Sequence, residues 1–366
     1  MSQNVPSGAE STSTTSIPSQ DLSIRAYQPR FDRQQPVIAV VAENSFTELT
    51  DYVVPYGVLA ESGVARVLAI ATEPEPIRMF PALRVEPQAT IAQFDDRFPE
   101  GADYVIVPAV LRQKDPVLLG WLGEQARKGA IVAGICDGVW VLANAGLLDG
   151  RKGVGHWFSL SSLARKFPKT EWLRNTRYVA DGNVITTTGV SASVPVSIAL
   201  VEAIAGRDRA ASLARSLGVE NWGAQHDSKP FKLGIEQVLT AIGNWLSFWS
   251  SEEIGLPIHP GTDEVALSLM ADSYSRTWRS KAFALSDSAE GVTSKRGLRI
   301  LPDRISDEDK KVDRTIELDD RILPVAWLDT TLQDIEGCYG SRTAAFVALQ
   351  LEYPRDRSET RDRFSS

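Results

Sequence analysis

The sequence predicts an α/β fold with a doubly wound parallel sheet. Three observations support it. Continuous β-branched runs are typical of strands buried on both faces, segments with apolar residues at helical spacing lie between them, and a tight glycine-flanked turn joins one strand to a helix. Strands that alternate with helices form parallel sheets, because each crossover returns the chain to the same edge.

The predicted elements follow one another along the first 233 residues. A polar segment precedes the first strand, and Pro108 ends the third. An Asp-Gly pair at Asp181-Gly182 predicts a hairpin. In order, the elements are a strand at 36–42, a helix at 47–61 ending near Ser62-Gly63, strands at 64–71 and 103–108, a helix at 117–127, a strand at 130–134, a helix at 138–145 closed by Gly146, the hairpin at 177–188 and a buried helix at 189–205.

Composition places the chain among soluble globular proteins. It has 366 residues, of which 43% are hydrophobic and 23% charged, and a net charge of −8 from 39 basic and 47 acidic residues. No dense block of Lys and Arg is present, which argues against a nucleic-acid partner. No apolar run approaches the roughly 18 residues of a membrane span. With two cysteines, three histidines and no metal-binding spacing, the sequence predicts no disulfide framework, no metal and no cofactor.

The chain divides into four predicted parts. Residues 1–35 are rich in Ser, Thr, Gln and Pro and predict a disordered tail rather than a secretory signal, so we expect a cytoplasmic protein. The α/β domain is 36–233. Residues 234–353 form a helical bridge, centred on 237–250, and a truncated second copy of the fold without the cysteine, and 354–366 form a charged tail.

The second copy is predicted from two internal repeats. A shift of 215 residues, the separation of Pro87 and Pro302, aligns 82–87 with 297–302 and 66–70 with 281–285. A shift of 134 residues aligns Gly206, Ala210, Ala211 and Ala214 with Gly340, Ala344, Ala345 and Ala348. The helix that closes the first domain is therefore expected to recur. Such repeats usually reflect duplication of a folded unit. Since the copy is too short for a complete sheet, we expect it to pack on the first domain as an internal substitute for a dimer partner; a homo-oligomer is the alternative.

Cys136 is the predicted centre of the chemistry. It lies in Gly134-Ile135-Cys136-Asp137-Gly138, where a buried strand meets a helix. Such an elbow directs helix N–H groups toward the sulfur, and the helix dipole favours a thiolate. The N–H groups of Asp137 and Gly138 are also candidates for holding an oxyanion. The alternative is an inert core cysteine, the role we expect for Cys338.

From 134 to 150, with His156-Trp157 and the run 178–192, the sequence resembles the DJ-1/PfpI (ThiJ/PfpI) superfamily of class I glutamine amidotransferase-like domains. It is most similar to the branch shared by isonitrile hydratases and the sensor domains of AraC-type regulators. The resemblance implies a flavodoxin-like sheet. It also implies an acidic residue from the first helix beside the cysteine, four residues before a proline, and Asp51 before Pro55 matches that position. Such a carboxyl serves as proton donor or general acid/base.

Two departures from the family pattern limit the expected reactions. Asp137 stands where peptidases of the superfamily have histidine, so peptidase activity is disfavoured, and it also differs from the small hydroxyl residue of the hydratases. Pro108-Ala109-Val110 replaces the usual Pro-Gly-Gly, so the N–H groups of Ala109 and Val110 are less free to turn toward an oxyanion. His156 is expected to support the wall of the pocket rather than to act as a base. His226 either reaches the site or lies on a surface loop.

Three functions remain open at this point. The first is a cysteine-dependent hydratase, lyase or hydrolase acting on a small molecule, in which Cys136 adds to an electrophilic carbon and Asp51 handles the proton. The second is a non-catalytic domain that senses a metabolite but has no DNA-binding domain. The third is redox sensing through a sulfenic acid at Cys136.

Overall fold

The structure is a computed structural model of the chain, and it describes residues 22–228, 231, 240, 244, 251–305 and 311–354. Its helices are α1 (Leu49–Ser62), α2 (Ile91–Arg97), α3 (Pro116–Arg127), α4 (Gly138–Asn144), α5 (Leu160–Lys166), α6 (Ser193–Ala205), α7 (Arg207–Leu217), α8 (Glu264–Ser275), α9 (Trp327–Tyr339) and α10 (Ser341–Gln350). Its strands are β1 (Val37–Ala42), β2 (Thr47–Glu48), β3 (Arg66–Ala71), β4 (Ile77–Phe80), β5 (Arg84–Glu86), β6 (Ala89–Thr90), β7 (Tyr104–Val107), β8 (Ile131–Gly134), β9 (Lys152–Gly153), β10 (Glu171–Trp172), β11 (Tyr178–Asp181), β12 (Val184–Thr187), β13 (Glu252–Pro257), β14 (Ser280–Ser286), β15 (Val292–Thr293), β16 (Arg299–Leu301), β17 (Arg304–Ile305) and β18 (Arg314–Thr315).

The main sheet has seven strands in the order β11-β12-β8-β7-β1-β3-β6. Every neighbouring pair is parallel except the β11–β12 hairpin. Counting only β1, β3, β7, β8 and β12, the order is the 2-1-3-4-5 of flavodoxin-like folds, in which ligands bind at the carboxyl ends of the strands. The predicted parallel α/β fold is confirmed, and the elbow after β8 lies at that edge.

Helix α1 begins two residues later than predicted. Thr47 and Glu48 pair with β4 as the short strand β2, and the Glu48 side chain then caps the helix by accepting the N–H of Asp51. Gly63 ends the helix in the left-handed conformation, with φ of +65°. Nearly every residue of α1 is buried, because further helices pack on its outer side.

Part of the predicted N-terminal tail is ordered, so the expectation for 22–35 was wrong; residues 1–21 lie outside the described residues. The Tyr27 N–H donates to the carbonyl of Ala203, and its hydroxyl donates to Asp103. Arg33 forms an ion pair with the same aspartate at 2.8 Å. The buried Asp103 carboxylate therefore holds residues 22–35 against the domain. Composition alone does not reveal such a contact.

The C-terminal half forms more structure than a truncated copy was expected to hold. Its own four-stranded sheet, in the order β17-β14-β13-β18, is parallel throughout. A five-stranded sheet, β15-β16-β5-β4-β2, joins it to the first half through antiparallel pairing of β16 with β5, in which Ile300 lies opposite Val85. The predicted bridge at 237–250 falls almost entirely outside the described residues, as do the tail residues 355–366.

The repeated sequence segments occupy repeated elements. At the 215-residue spacing, β1, α1, β5 and β6 correspond to β13, α8, β16 and β17, and at the 134-residue spacing α6 and α7 correspond to α9 and α10. Gly206 and Gly340 have nearly the same backbone angles, φ of 85° and 86°. Val85 and Ile300, which pair across the two halves, are themselves equivalent at the 215-residue spacing.

Two apolar cores flank the main sheet. One lies under α2, α3 and α4. The other is continuous from α1 and α6 of the first half to α8 and α9 of the second, so α1 is buried by the C-terminal half. Among the described residues, no helix is long and apolar enough to cross a membrane.

Candidate active site

The elbow holds Cys136 in a strained backbone conformation. Its φ is +52°, in the left-handed region that non-glycine residues seldom adopt. The Cys136 N–H donates to the hydroxyl of Thr187 at 3.0 Å. At Gly138 a Cβ atom would lie 2.1 Å from the carbonyl oxygen of Val107, so only glycine fits there. The predicted strand-to-helix elbow is present, with its cysteine 8% exposed.

The electrostatic surroundings of Cys136 differ from the expectation. Burial raises the pKa of the thiol well above its ordinary value, and the carboxyls of Asp51, Asp137 and Glu48 raise it further. The Asp137 N–H donates to the sulfur and acts in the opposite direction. The prediction of a lowered thiol pKa was therefore wrong, because burial and three carboxyls outweigh the short helix α4, and Cys136 rests as a neutral thiol.

Asp51 lies beside Cys136, where the resemblance placed it. It is fully buried, and its Oδ2 accepts the Ala109 N–H at 3.2 Å. Its Oδ1 has no hydrogen-bond partner in the described part of the chain. Burial, followed by the charge of Glu48, raises the pKa of Asp51 well above its usual range. The carboxyl therefore retains a proton where ordinary aspartates have lost theirs.

A buried cluster that sequence reasoning missed stands behind Asp51. Arg276, at the end of α8, contacts Glu48 and Asp272, with nitrogen-to-oxygen distances of 2.7 Å in both cases. Burial raises the pKa of Glu48 to about 8, with Asp272 adding to the effect. Arg276 thus balances the two carboxyls that it contacts, and burial raises the pKa of Asp272 as well. Oδ1 of Asp51 lacks a partner among the described residues, so it is the carboxyl oxygen at which a proton displaces no existing contact.

Most N–H groups that were candidates for an oxyanion hole are engaged. The Gly138 N–H donates to the carbonyl of Ile135 at 2.7 Å, and that of Ala109 donates to Asp51. Val110 is buried and forms an antiparallel bridge with Thr47. The local backbone and Asp51 therefore occupy the Gly138 and Ala109 donors in this structure, and an oxyanion hole at these residues stays a prediction. Asp137 presents its N–H to the sulfur, and its own carboxylate accepts from Ser159 at 2.8 Å.

His156 and His226 converge on a carboxylate from the far end of the chain. Nε2 of His226 lies 3.0 Å from Oε1 of Glu352, and Nε2 of His156 lies 4.0 Å from Oε2. The N–H of Gly189 also donates to Oε2, at 2.8 Å. Burial lowers the pKa of His156 although Glu352 acts to raise it. His226 therefore reaches the site region, and Glu352 is a member that no sequence motif marks.

A cavity of about 230 Å³ reaches Thr188, but its lining does not include the elbow residues 134–138. Thr188 lines it and follows Thr187, whose hydroxyl bonds Cys136; Oγ1 of Thr188 is buried without a partner among the described residues. Trp157, Phe231 and Leu160 supply apolar walls, and Glu352 is the buried charge in the lining. Such a mixture suits a small organic molecule.

Two further expectations concern residues away from the elbow. Cys338 is exposed rather than part of the core, and its sulfur lies 3.4 Å from Nη1 of Arg314. It lies on the exposed face of α9. The pattern of apolar residues in the sequence did not show which face of this helix is buried. Within the described ranges, no group of three or more His, Cys, Asp or Glu side chains is arranged to hold a metal ion.

Comparison with known proteins identifies a matching family and several similar proteins. Residues 37–203 match the DJ-1/PfpI family. The HTH-type transcriptional regulator CdhR of Pseudomonas aeruginosa is 35% identical over 91 residues, which are 25% of this chain and 27% of the regulator. The isonitrile hydratase of Pseudomonas putida is 28% identical over 162 residues, 43% of this chain and 67% of the hydratase. The chain thus spans about a quarter of the length of the regulators that it matches.

Solved structures with similar coordinates include a ThiJ/PfpI family protein from Pseudomonas syringae, with a TM-score of 0.48, 19% identity and coverage of 63% of this chain and 93% of the other. Drosophila melanogaster DJ-1beta gives a TM-score of 0.46 at 20% identity, over 51% of this chain and all of the other. Residues 37–203 of this chain therefore belong to the DJ-1/PfpI family, and they are similar to an isonitrile hydratase and to HTH-type transcriptional regulators.

Proposed function

We propose that residues 36–233 bind a small electrophilic molecule and that Cys136 adds to its carbon in a hydratase-, lyase- or hydrolase-type reaction. The observation that carries the proposal is a buried, proton-retaining carboxyl, Asp51, beside a buried thiol on a strained elbow. A thiol in such a place is a poor metal ligand or disulfide partner. It is suited to react once a substrate excludes the remaining water.

The proposed reaction transfers protons through Asp51. The sulfur forms a bond to the electrophilic carbon while Asp51 donates its proton to the substrate. The proton of the thiol passes to the carboxylate left behind, so Asp51 ends in its starting state. Water then adds to the carbon, the carbon–sulfur bond breaks, and the sulfur recovers a proton. This relay needs no resting thiolate, which agrees with the raised pKa of Cys136.

Peptide substrates are not proposed. Asp137 occupies the position after the cysteine, and its carboxylate raises the thiol pKa, which is opposite to the effect of a histidinium. The N–H groups of Ala109 and Gly138 are engaged. Tetrahedral intermediates of amide cleavage need such donors, so a small and already electrophilic carbon fits the site better.

We further propose that the C-terminal half is a degenerate copy of the domain that acts as an internal partner. Supporting observations are the matching element spacings, the nearly equal φ angles of Gly206 and Gly340, and the pairing of the equivalent residues Val85 and Ile300. The arrangement resembles a dimer interface within one chain. The copy has Ala266 where the first domain has Asp51.

The test measures turnover of small isonitriles, dicarbonyls and amides. Cys136→Ser should reduce it by roughly a thousandfold, and Asp51→Asn by about a hundredfold or more, since the proton relay is lost. Cys338→Ser serves as control, because that thiol is exposed on α9. Turnover that survives Cys136→Ser would overturn the proposal.

A second function, ligand sensing without turnover, is favoured by the burial and raised pKa of Cys136. It predicts saturable binding of a small molecule that Cys136→Ser leaves intact. Calorimetric titration of the same isonitriles, dicarbonyls and amides into wild type and into Cys136→Ser separates the two functions. Binding that is independent of Cys136, with no product formed, would favour sensing.

A further inference from the structure

An ion-pair cluster links the C-terminal half to the start of α1. The Arg276 side chain is 11% exposed, and its Nη2 and Nε atoms contact Glu48 and Asp272. Oγ1 of Thr50 lies 3.3 Å from Oδ2 of Asp272 and contacts both carboxylate oxygens of Glu48 at 3.1 Å. A buried cation with two carboxylate partners and further hydrogen bonds is strongly fixed in place.

The cluster connects directly to the reacting groups. Oε2 of Glu48 accepts the Asp51 N–H at 2.5 Å, so the residue that Arg276 holds also caps the helix turn carrying Asp51. Burial alone would lower the pKa of Arg276, but Asp272, Glu48 and the Cys136 sulfur raise it above its usual value. Arg276 therefore interacts with the sulfur by charge and with Asp51 through Glu48.

We propose that Arg276 is a positioning residue of the Cys136 site: by holding Glu48, it fixes Asp51 beside the thiol and supplies a cation opposite the carboxyls. This inference rests on the proposed function of the same site. It means that the site is incomplete without the C-terminal half, which contributes Arg276 as a second subunit would. The titratable groups facing Cys136 are then Asp51 from α1, Glu48 from the end of β2, Asp137 from the elbow, and Arg276.

The other end of the same helix pair offers a matched control. Arg296 is buried to a similar degree and contacts Asp263, which caps α8, at 2.9 Å, and Glu61 of α1 at 2.6 Å. Burial lowers its pKa, whereas Asp263, Glu264 and Glu61 raise it above the usual value. Removing Arg296 therefore breaks comparable ion pairs between α1 and the C-terminal half, at the end away from Glu48.

The experiment measures the rate of iodoacetamide alkylation of Cys136 against pH, in a Cys338→Ser background. Arg276→Gln should move the profile to higher pH, because a thiolate loses its nearby cation. Alkylation at a fixed pH below the midpoint should slow by about threefold to tenfold. Arg296→Gln should leave the profile in place, and Arg276→Lys should restore part of it.

A profile of Arg276→Gln that coincides with that of Arg296→Gln would overturn the proposal. Circular dichroism and thermal unfolding show that each variant is folded. If Arg276→Gln does not fold, Arg276→Lys is compared with Arg296→Lys. A shift is then expected for Arg276→Lys alone, since an ammonium cannot bridge both carboxylates as a guanidinium does. Alkylation requires no substrate. If the protein turns over none of the tested compounds, the proposed function is overturned, but the alkylation test of Arg276 still applies.

Discussion

At the scale of single residues, the site depends on where buried carboxyls keep or lose their protons. Asp51 retains a proton because it is buried and because the charge of Glu48 lies nearby. The Glu352 side chain is 1% exposed and lies between the rings of His156 and His226. The reactivity of Cys136 therefore depends on residues that are distant in sequence.

Glu352→Gln should lower the pKa of His156 further. Burial is the main cause of its lowered pKa, and Glu352 is the strongest of the groups that oppose it. The measurement is an NMR titration of the His156 ring, assigned with His156→Gln. Asp137→Asn should act in the same direction but less, because Asp137 is the weaker of the two carboxylates. A pKa that stays constant or rises in Glu352→Gln would contradict this account.

At the scale of elements, the close contact of α1 with α8 decides how the two halves meet. Gly57 permits this contact, since a Cβ atom there would lie 2.5 Å from Cγ2 of Val265 and 3.2 Å from Oε1 of Glu264. Both residues belong to the first turn of α8. The contact between α1 and α8 therefore requires a small residue at position 57. From the sequence alone, Gly57 appears only as a residue of low helix propensity within a helix.

Gly57→Ala should destabilise the protein by about 1–3 kcal/mol, because the added methyl group overpacks the helix interface. Gly120→Ala is the matched control. Gly120 also lies inside a helix, α3, but it is exposed and a Cβ atom there meets nothing within 4 Å. That variant should gain up to about 1 kcal/mol from helix propensity. Urea unfolding measures both, and equal effects in the two variants would contradict the helix contact.

At the scale of the whole molecule, the buried carboxyls couple stability to pH. The pKa of Asp51 in the folded chain lies above its unfolded value of 3.8. A group of this kind stabilises the fold fully below the unfolded pKa, and the contribution is lost as pH rises through the folded pKa. Asp263 has the opposite sign: burial raises its pKa, but Arg296 lowers it overall, so its contribution is lost as the pH falls.

Asp51→Asn should therefore become more stable relative to wild type as the pH is raised from about 5 to about 9. Asn cannot lose a proton and so escapes the cost of a buried carboxylate. The measurement is the free energy of unfolding in urea across this range. Asp263→Asn provides the control, with its largest loss relative to wild type above the unfolded pKa of aspartate. A constant difference between Asp51→Asn and wild type would mean that Asp51 titrates normally in the folded chain.

The main strands and helices of the first half, from β1 to α6, were predicted in order because each depends on neighbouring residues, but α2, α5 and α7 were not predicted. The β-branched runs, the Asp181-Gly182 turn and the glycines flanking Cys136 are local signals, and each was found where predicted. Asp51 was found through a resemblance over a short motif. Arg276 and Glu352 had no such signal, since their roles depend on contacts with residues more than 100 positions away.

The sequence by itself determined the parallel α/β fold, the elbow and the repeated spacings, since periodicity and backbone geometry act over a few residues. Only the tertiary structure decided the protonation of the site and the completeness of the C-terminal sheet. A pKa depends on burial and on charges that the fold brings together. The elbow motif favours a thiolate, but the packed molecule surrounds Cys136 with carboxyls and places the balancing cation, Arg276, on the far half of the chain.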